Sequence, residues 1–161
     1  MSAVPDTSHD QSAAVTHRRF RRVLVAWDAS ADAMAALRAA AAVAGDESGH
    51  VVALAIVPSP PRLEGERGVA GTGSADADRA ERVFELVRES LAATSRARLS
   101  LQIAEGPQVA RSICDYADEH GFDLLVLGRH GDGGLLHRKL GRVAEATAKS
   151  SRIPVLLLSA Q

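Results

Sequence analysis

Cysteine occurs once in the 161 residues, as Cys114, which excludes an intramolecular disulfide framework and falls short of a cysteine-built zinc centre. Aromatic residues make up only 3% of the chain, so its core has to be assembled from Ala, Val, Leu and Ile. Neither sign of charge dominates. The 19 Lys and Arg against 20 Asp and Glu leave a formal net charge of −1, which argues against nonspecific nucleic-acid binding and against a polybasic membrane protein. No apolar run approaches the roughly 18 residues needed to cross a bilayer, and the N-terminal residues lack the apolar segment of a signal peptide. The reducing cytoplasm is therefore the expected compartment, and any anion site has to be local. Two common nucleotide motifs are missing as well: no G-x-G-x-x-G follows the first strand, and no G-K-[ST] completes a Walker loop.

What is present fits one globular domain, with 46% hydrophobic and 24% charged residues. Residues 1–19 read as an N-terminal tail of scattered small and polar residues, and residues 20–161 as the folded domain. Arg22 to Trp27 is a strand candidate. Ser30 is placed to cap a helix over Ala31 to Ala44, whose Ala33, Leu37, Ala40 and Ala44 share a face. His50 to Val57 forms a second strand, stopped by Pro58, Pro60 and Pro61, and Arg62 to Ser74 reads as a glycine-punctuated loop. Ala80, Val83, Phe84, Val87 and Leu91 recur at helical spacing, and Leu99 to Ile103 alternates as a half-buried strand does. Pro107 suits the first turn of a helix with Val109, Ile113 and Tyr116 or Ala117 inward. Phe122 to Leu127 predicts a buried strand, Gly141 to Ser150 a helix, and Ile153 to Leu158 a last strand. Regular β-α alternation implies an open, Rossmann-like α/β fold: five parallel strands in the order 3-2-1-4-5 with helices on both faces.

In such sheets, ligands sit beyond the carboxyl ends of the strands where the strand order reverses. Two unusual segments fall there. Trp27-Asp28-Ala29-Ser30 follows the first strand. Gly128 to Arg142 follows the fourth, and places Gly128, Gly131, Gly133, Gly134 and Gly141 among Arg129, Arg138, Lys139 and Arg142. Glycine allows close approach to bare backbone and the cations favour an anion, so a phosphate-holding loop is expected.

Gly128, Gly131 and Gly141 make the pattern G-x2-G-x9-G, which resembles the nucleotide-binding signature of the universal stress protein family. The resemblance runs from about Phe20 to Ser159. Val25-Ala26-Trp27-Asp28-Ala29-Ser30 resembles the family's V-x-x-D-x-S opening, Val143-Ala144-Glu145 follows the last glycine as in the family, and Ile153-Pro154-Val155-Leu156-Leu157 resembles its closing strand. The resemblance implies an ATP or adenine-nucleotide site formed by Ala26, Trp27, Asp28, Ile56, Gly128, Arg129, Gly131, Gly141, Arg142 and Val143. Gly128 and Gly131 would face ribose and phosphates, and Gly141 would open a helix whose free N–H groups receive phosphate oxygens. Asp28 would lie near the nucleoside and an accompanying Mg ion, and Ile56 would meet adenine through its backbone. Arg142 departs from the family, whose ATP binders usually carry Ser or Thr there. One neutral hydrogen bond lost costs about 1 kcal/mol, whereas a guanidinium on phosphate returns about 1.5–3 kcal/mol.

Plainer readings stand beside these. Asp28 also suits a strand-to-helix turn, and Arg129, Arg138 and Lys139 suit a solvated loop. The six histidines, His130 and His137 included, read as surface residues, and Cys114 as a small packed residue. Asp132 is the sole second carboxylate near Asp28, so catalysis is expected to amount at most to slow ATP hydrolysis. The expectations for function are a nucleotide-binding stress regulator, a dimeric interaction module without nucleotide, or a slow ATPase using Asp28 and a divalent ion. The apolar last strand, at a sheet edge and without protecting charges, predicts a homodimer formed through it, as the resemblance also implies. A further regulatory protein partner is expected without being named by any residue.

Overall fold

The central strand β1 (Arg22–Ala26) buries Val23, Leu24 and Val25 completely, because parallel strands flank it on both sides. A computed structural model describes residues 20–45, 47–58, 73–131 and 140–160 of the chain. The expected tail therefore lies outside the described residues, as do most of the expected Arg62–Ser74 loop and the segment holding Asp132, His137, Arg138 and Lys139.

After β1 the chain runs through α1 (Ala31–Ala44), β2 (His50–Pro58), α2 (Gly73–Leu91), β3 (Arg98–Gly106), α3 (Val109–Glu119), β4 (Leu124–Gly128), α4 (Arg142–Ser150) and β5 (Val155–Leu158). All five strands are parallel, in the order β3-β2-β1-β4-β5. The expected topology holds, including the pairing of β1 with β4 through Val23–Leu124, Leu24–Leu125 and Val25–Val126.

Differences are confined to the ends of elements. Gly73 and Ser74, expected in the loop, belong to α2. β3 extends beyond Leu99 and Ile103 at both ends because β2 pairs with it from His50 to Pro58. Pro107 lies outside α3, whose N-cap is Gln108, so it bends the chain after β3 instead of opening the helix. Phe122 and Asp123 precede β4. The Asp123 carboxylate accepts the backbone N–H groups of Arg21 and Arg22 at 3.0 and 3.1 Å, anchoring the start of β1 from the side.

Two apolar layers sandwich the sheet. On one face, Val23, Val25, Val51, Ala53 and Val126 meet the alanines and Leu37 of α1 and Phe84 and Val87 of α2. The other face packs Leu24, Val52, Leu54, Leu125 and Leu127 against Ile113 and Ala117 of α3. Scarce aromatics serve as anchors: Trp27 and Phe84 meet edge to face, with centroids 6.2 Å apart, and the Trp27 indole donates to the Ala80 carbonyl at 2.9 Å.

Thr147 of α4 is fully buried, yet its Oγ1 has no hydrogen-bond partner among the described residues. An unpaired buried hydroxyl costs about 1–3 kcal/mol, and valine fills nearly the same shape without it. Thr147→Val should therefore raise stability by about 1 kcal/mol, read as a higher midpoint in urea with an unchanged slope. A loss of stability would mean that this hydroxyl is satisfied in solution.

Candidate functional site

At the carboxyl ends of β1 and β4 the chain leaves the sheet in opposite directions, and a cleft of about 280 Å³ opens between the two exits. Its apolar wall comes from Ala26, Leu54, Ile56, Val109, Ile113 and Leu127. The polar rim comprises Asp28, Ser30, Arg129 and His130, with Gly128, Gly131 and Gly141 between.

The β1 exit is strained. Ala29 has φ 61°, the left-handed region that a side chain makes costly by about 1–2 kcal/mol. This turn is locked from both sides: Asp28 Oδ1 accepts the Ser30 N–H at 3.0 Å, and Ser30 Oγ accepts the Ala33 N–H at 3.1 Å as the α1 N-cap. Asp28 is thereby both the turn residue and a carboxylate exposed at the rim.

The β4 exit is registered residue by residue. A Cβ on Gly128 would come within 2.7 Å of Asp32 Cβ and 2.9 Å of its carbonyl carbon, so this glycine permits the close crossing of α1 over β4. The Arg129 N–H donates to the Leu158 carbonyl at 2.7 Å, and the Arg129 carbonyl accepts the Gly141 N–H at 2.8 Å. That second bond draws the start of α4 back to the loop's beginning. A Cβ on Gly131 would lie 2.7 Å from Asp28 Oδ2, so the two exits nearly touch there.

The two helix N-termini at the cleft differ. α1 is capped by Ser30, whereas α4 has Gly141 as its N-cap and so no side chain at that position to cap it, which among the described residues leaves first-turn N–H groups for an outside acceptor. Of the residues expected to form the site, Ala26, Trp27, Asp28, Ile56, Gly128, Arg129, Gly131, Gly141 and Val143 line the cleft. Arg142 does not. Its side chain is exposed and lines the neighbouring groove between α3 and α4 with Arg111, Cys114, Asp118 and Arg152. Trp27 contributes from the sheet end while its indole faces α2.

Asp32 and His130 were not legible as site residues. His130, expected at the surface, is largely buried, and its N–H and Nδ1 lie 3.0 and 3.2 Å from Asp32 Oδ2. Oδ1 of Asp32 accepts the Ala160 N–H at 2.7 Å. Burial alone would raise the Asp32 carboxyl. The hydrogen bonds from Ala160 and His130, with the charge of the His130 ring, outweigh that and hold it below the usual value. An acidic residue in a helix's first turn is ordinary, so no local signal distinguishes Asp32.

A doubly wound parallel sheet with a cleft at its switch point defines the class: an α/β protein whose first and fourth strands part where the strand order reverses. The sequence pattern of the Universal stress protein family matches residues 19–159, and the chain belongs to that family. Solved structures agree in fold. The universal stress protein UspA from Lactobacillus plantarum is 24% identical, with a TM-score of 0.71 over 88% of this chain and 99% of that one. The universal stress protein from Archaeoglobus fulgidus in complex with dAMP is 18% identical, with a TM-score of 0.61 over 88% of this chain and 99% of that one. A universal stress protein family protein from Arabidopsis thaliana with AMP bound is 16% identical, with a TM-score of 0.59 over 88% of this chain and 92% of that one. No curated protein matches the sequence significantly.

Because the folded Asp32 carboxyl titrates below its unfolded value of 3.8, its stabilising contribution is complete above that value and is lost as pH falls through the lower folded value. Asp32→Asn should thus be less stable than wild type at neutral pH, and the gap should narrow as pH falls below 3.8. Urea unfolding of both proteins across that range checks this.

Proposed function

We propose that this protein binds an adenine nucleotide in the cleft between β1 and β4 and acts as a cytoplasmic, nucleotide-dependent regulator in the stress response. The observation that carries the proposal is the convergence of an apolar wall, an uncapped α4 N-terminus and a glycine apposed to Asp28 in one cleft. Each part suits a portion of the ligand. Ala26, Leu54, Ile56, Val109 and Ile113 suit a flat base, the Asp28 carboxylate is an acceptor for ribose hydroxyls, and the bare N–H groups of α4 suit phosphate. The dAMP- and AMP-bound relatives support the same ligand class.

ATP is the nucleotide we propose, with Mg ion as companion. Among the described residues no group of three or more His, Cys, Asp or Glu could hold a metal, so the ion would rest on Asp28 and the phosphates themselves. The exposed, outward placement of Arg142 shifts its proposed part from side chain to backbone: its N–H belongs to the α4 first turn. Titration calorimetry with ATP, with and without Mg²⁺, and with AMP tests the reading, and absence of binding to all three would remove it.

The two nearby glycines separate binding from folding. Among the described residues, a side chain at Gly131 meets only the movable end of Asp28, whereas one at Gly128 meets the backbone of α1. Gly131→Val should weaken ATP by about tenfold or more, a loss of roughly 1.4 kcal/mol, with little change in stability. Gly128→Ala should instead lower the unfolding midpoint. Equal nucleotide affinity in Gly131→Val and wild type would place the ligand elsewhere.

We also propose a homodimer through β5. In this edge strand, Leu156 is 37% exposed on a single chain. Pairing with the same strand of a second copy about a two-fold axis would cover it and close the assembly. Wild type should scatter light as a dimer at micromolar concentration, and Leu156→Lys should yield monomer by placing an unpaired charge in the contact.

A further inference from the structure

Asp32 joins three contacts beside the cleft and lies outside every part assigned to the nucleotide. Its two oxygens receive three donors from segments far apart in the chain: the N–H and ring of His130 after β4, and the N–H of Ala160 after β5. Both partners of the ring contact are well buried, with 14% of the Asp32 side chain and 16% of the His130 side chain exposed. Solvent therefore competes poorly for these bonds.

The geometry explains why the loop after β4 reaches Asp28 at all. Gly128 sits against the Asp32 backbone, Arg129 is tied to Leu158 and Gly141, and His130 is held by the Asp32 carboxylate. Only then comes Gly131, opposite Asp28 Oδ2. The Asp32–His130 pair fixes the residue immediately before Gly131. A loop fixed before the ligand arrives spares binding the cost of ordering it.

We propose that Asp32 is a positioning residue for the nucleotide cleft: through His130 it sets the loop carrying Gly131 in its binding geometry, and through Ala160 it ties that loop to the exit of β5. The inference rests on the nucleotide reading of the cleft, but its structural half does not need a ligand.

The test uses the full-length chain as wild type, Asp32→Ala and Asp32→Asn, with AMP as the probe in titration calorimetry. Amide hydrogen exchange is read on the same proteins without ligand. Asp32→Ala should bind AMP about tenfold or more weakly while circular dichroism shows it fully folded. Asp32→Asn, which keeps an acceptor of the same size, should recover part of the affinity. In exchange, the amides of His130, Gly131 and Ala160 should lose protection in Asp32→Ala while those of Leu24 and Val25 keep theirs. AMP affinity within twofold of wild type in folded Asp32→Ala would overturn the proposal. If wild type itself fails to bind AMP, the nucleotide reading falls separately. Exchange then decides the role of Asp32, with faster exchange confined to His130, Gly131 and Ala160 upholding it and unchanged exchange overturning it.

Discussion

Everything in this molecule follows from the pairing of β1 with β4. Val23, Leu24 and Val25 lie against Leu124, Leu125 and Val126 in parallel register, and all but Leu124 are completely shielded from solvent. With helices packed on both faces, these residues have no solvent side, which is why each strand is continuously apolar instead of alternating. The pairing also sets the switch point. β1 continues outward to β2 on one side and β4 to β5 on the other, so the two chain exits diverge and leave a cleft that no other strand pair in this sheet provides.

The small side chains of α1 make that pairing compatible with a close helix. Ala33, Ala36, Ala40 and Ala41 are buried against the sheet, and at Gly128 even a methyl group would collide with the α1 backbone. Close approach has a functional consequence. It brings the first turn of α1, with Ser30 and Asp32, to the rim of the cleft, where its groups stabilise the two strand exits. A larger residue at any of these contacts would widen the gap between α1 and β4 and detach the Asp32 carboxylate from His130.

The site divides into parts that are rigid for different reasons. The Asp28–Ser30 turn of the β1 exit is held by local bonds within four residues and by a left-handed alanine, whereas the β4 exit is held by partners about a hundred residues away in sequence, or, for Arg129, at the ends of β5 and α4. Local capping survives as long as α1 is formed. Long-range bonds survive only when the whole sheet is assembled, so the glycine-bearing loop depends on global folding more than the Asp28 turn does.

The sequence by itself determined the order of elements, the parallel sheet and the location of the cleft. Short apolar runs alternating with amphipathic segments leave few other topologies, and Asp28 to Ser30 and Gly128 to Gly141 carry their backbone preferences in their residue types. It also determined the Ser30 cap, because capping needs only neighbours along the chain. Tertiary structure alone decided the rest. Arg142 is exposed and lines the groove between α3 and α4 instead of the cleft. The role of Gly128 is close packing against α1, because the helix crosses the strand at that position. Asp32 and His130 meet across 98 residues, and no periodicity or spacing encodes such a pair. Its bonds exist only once β1 and β4 lie side by side.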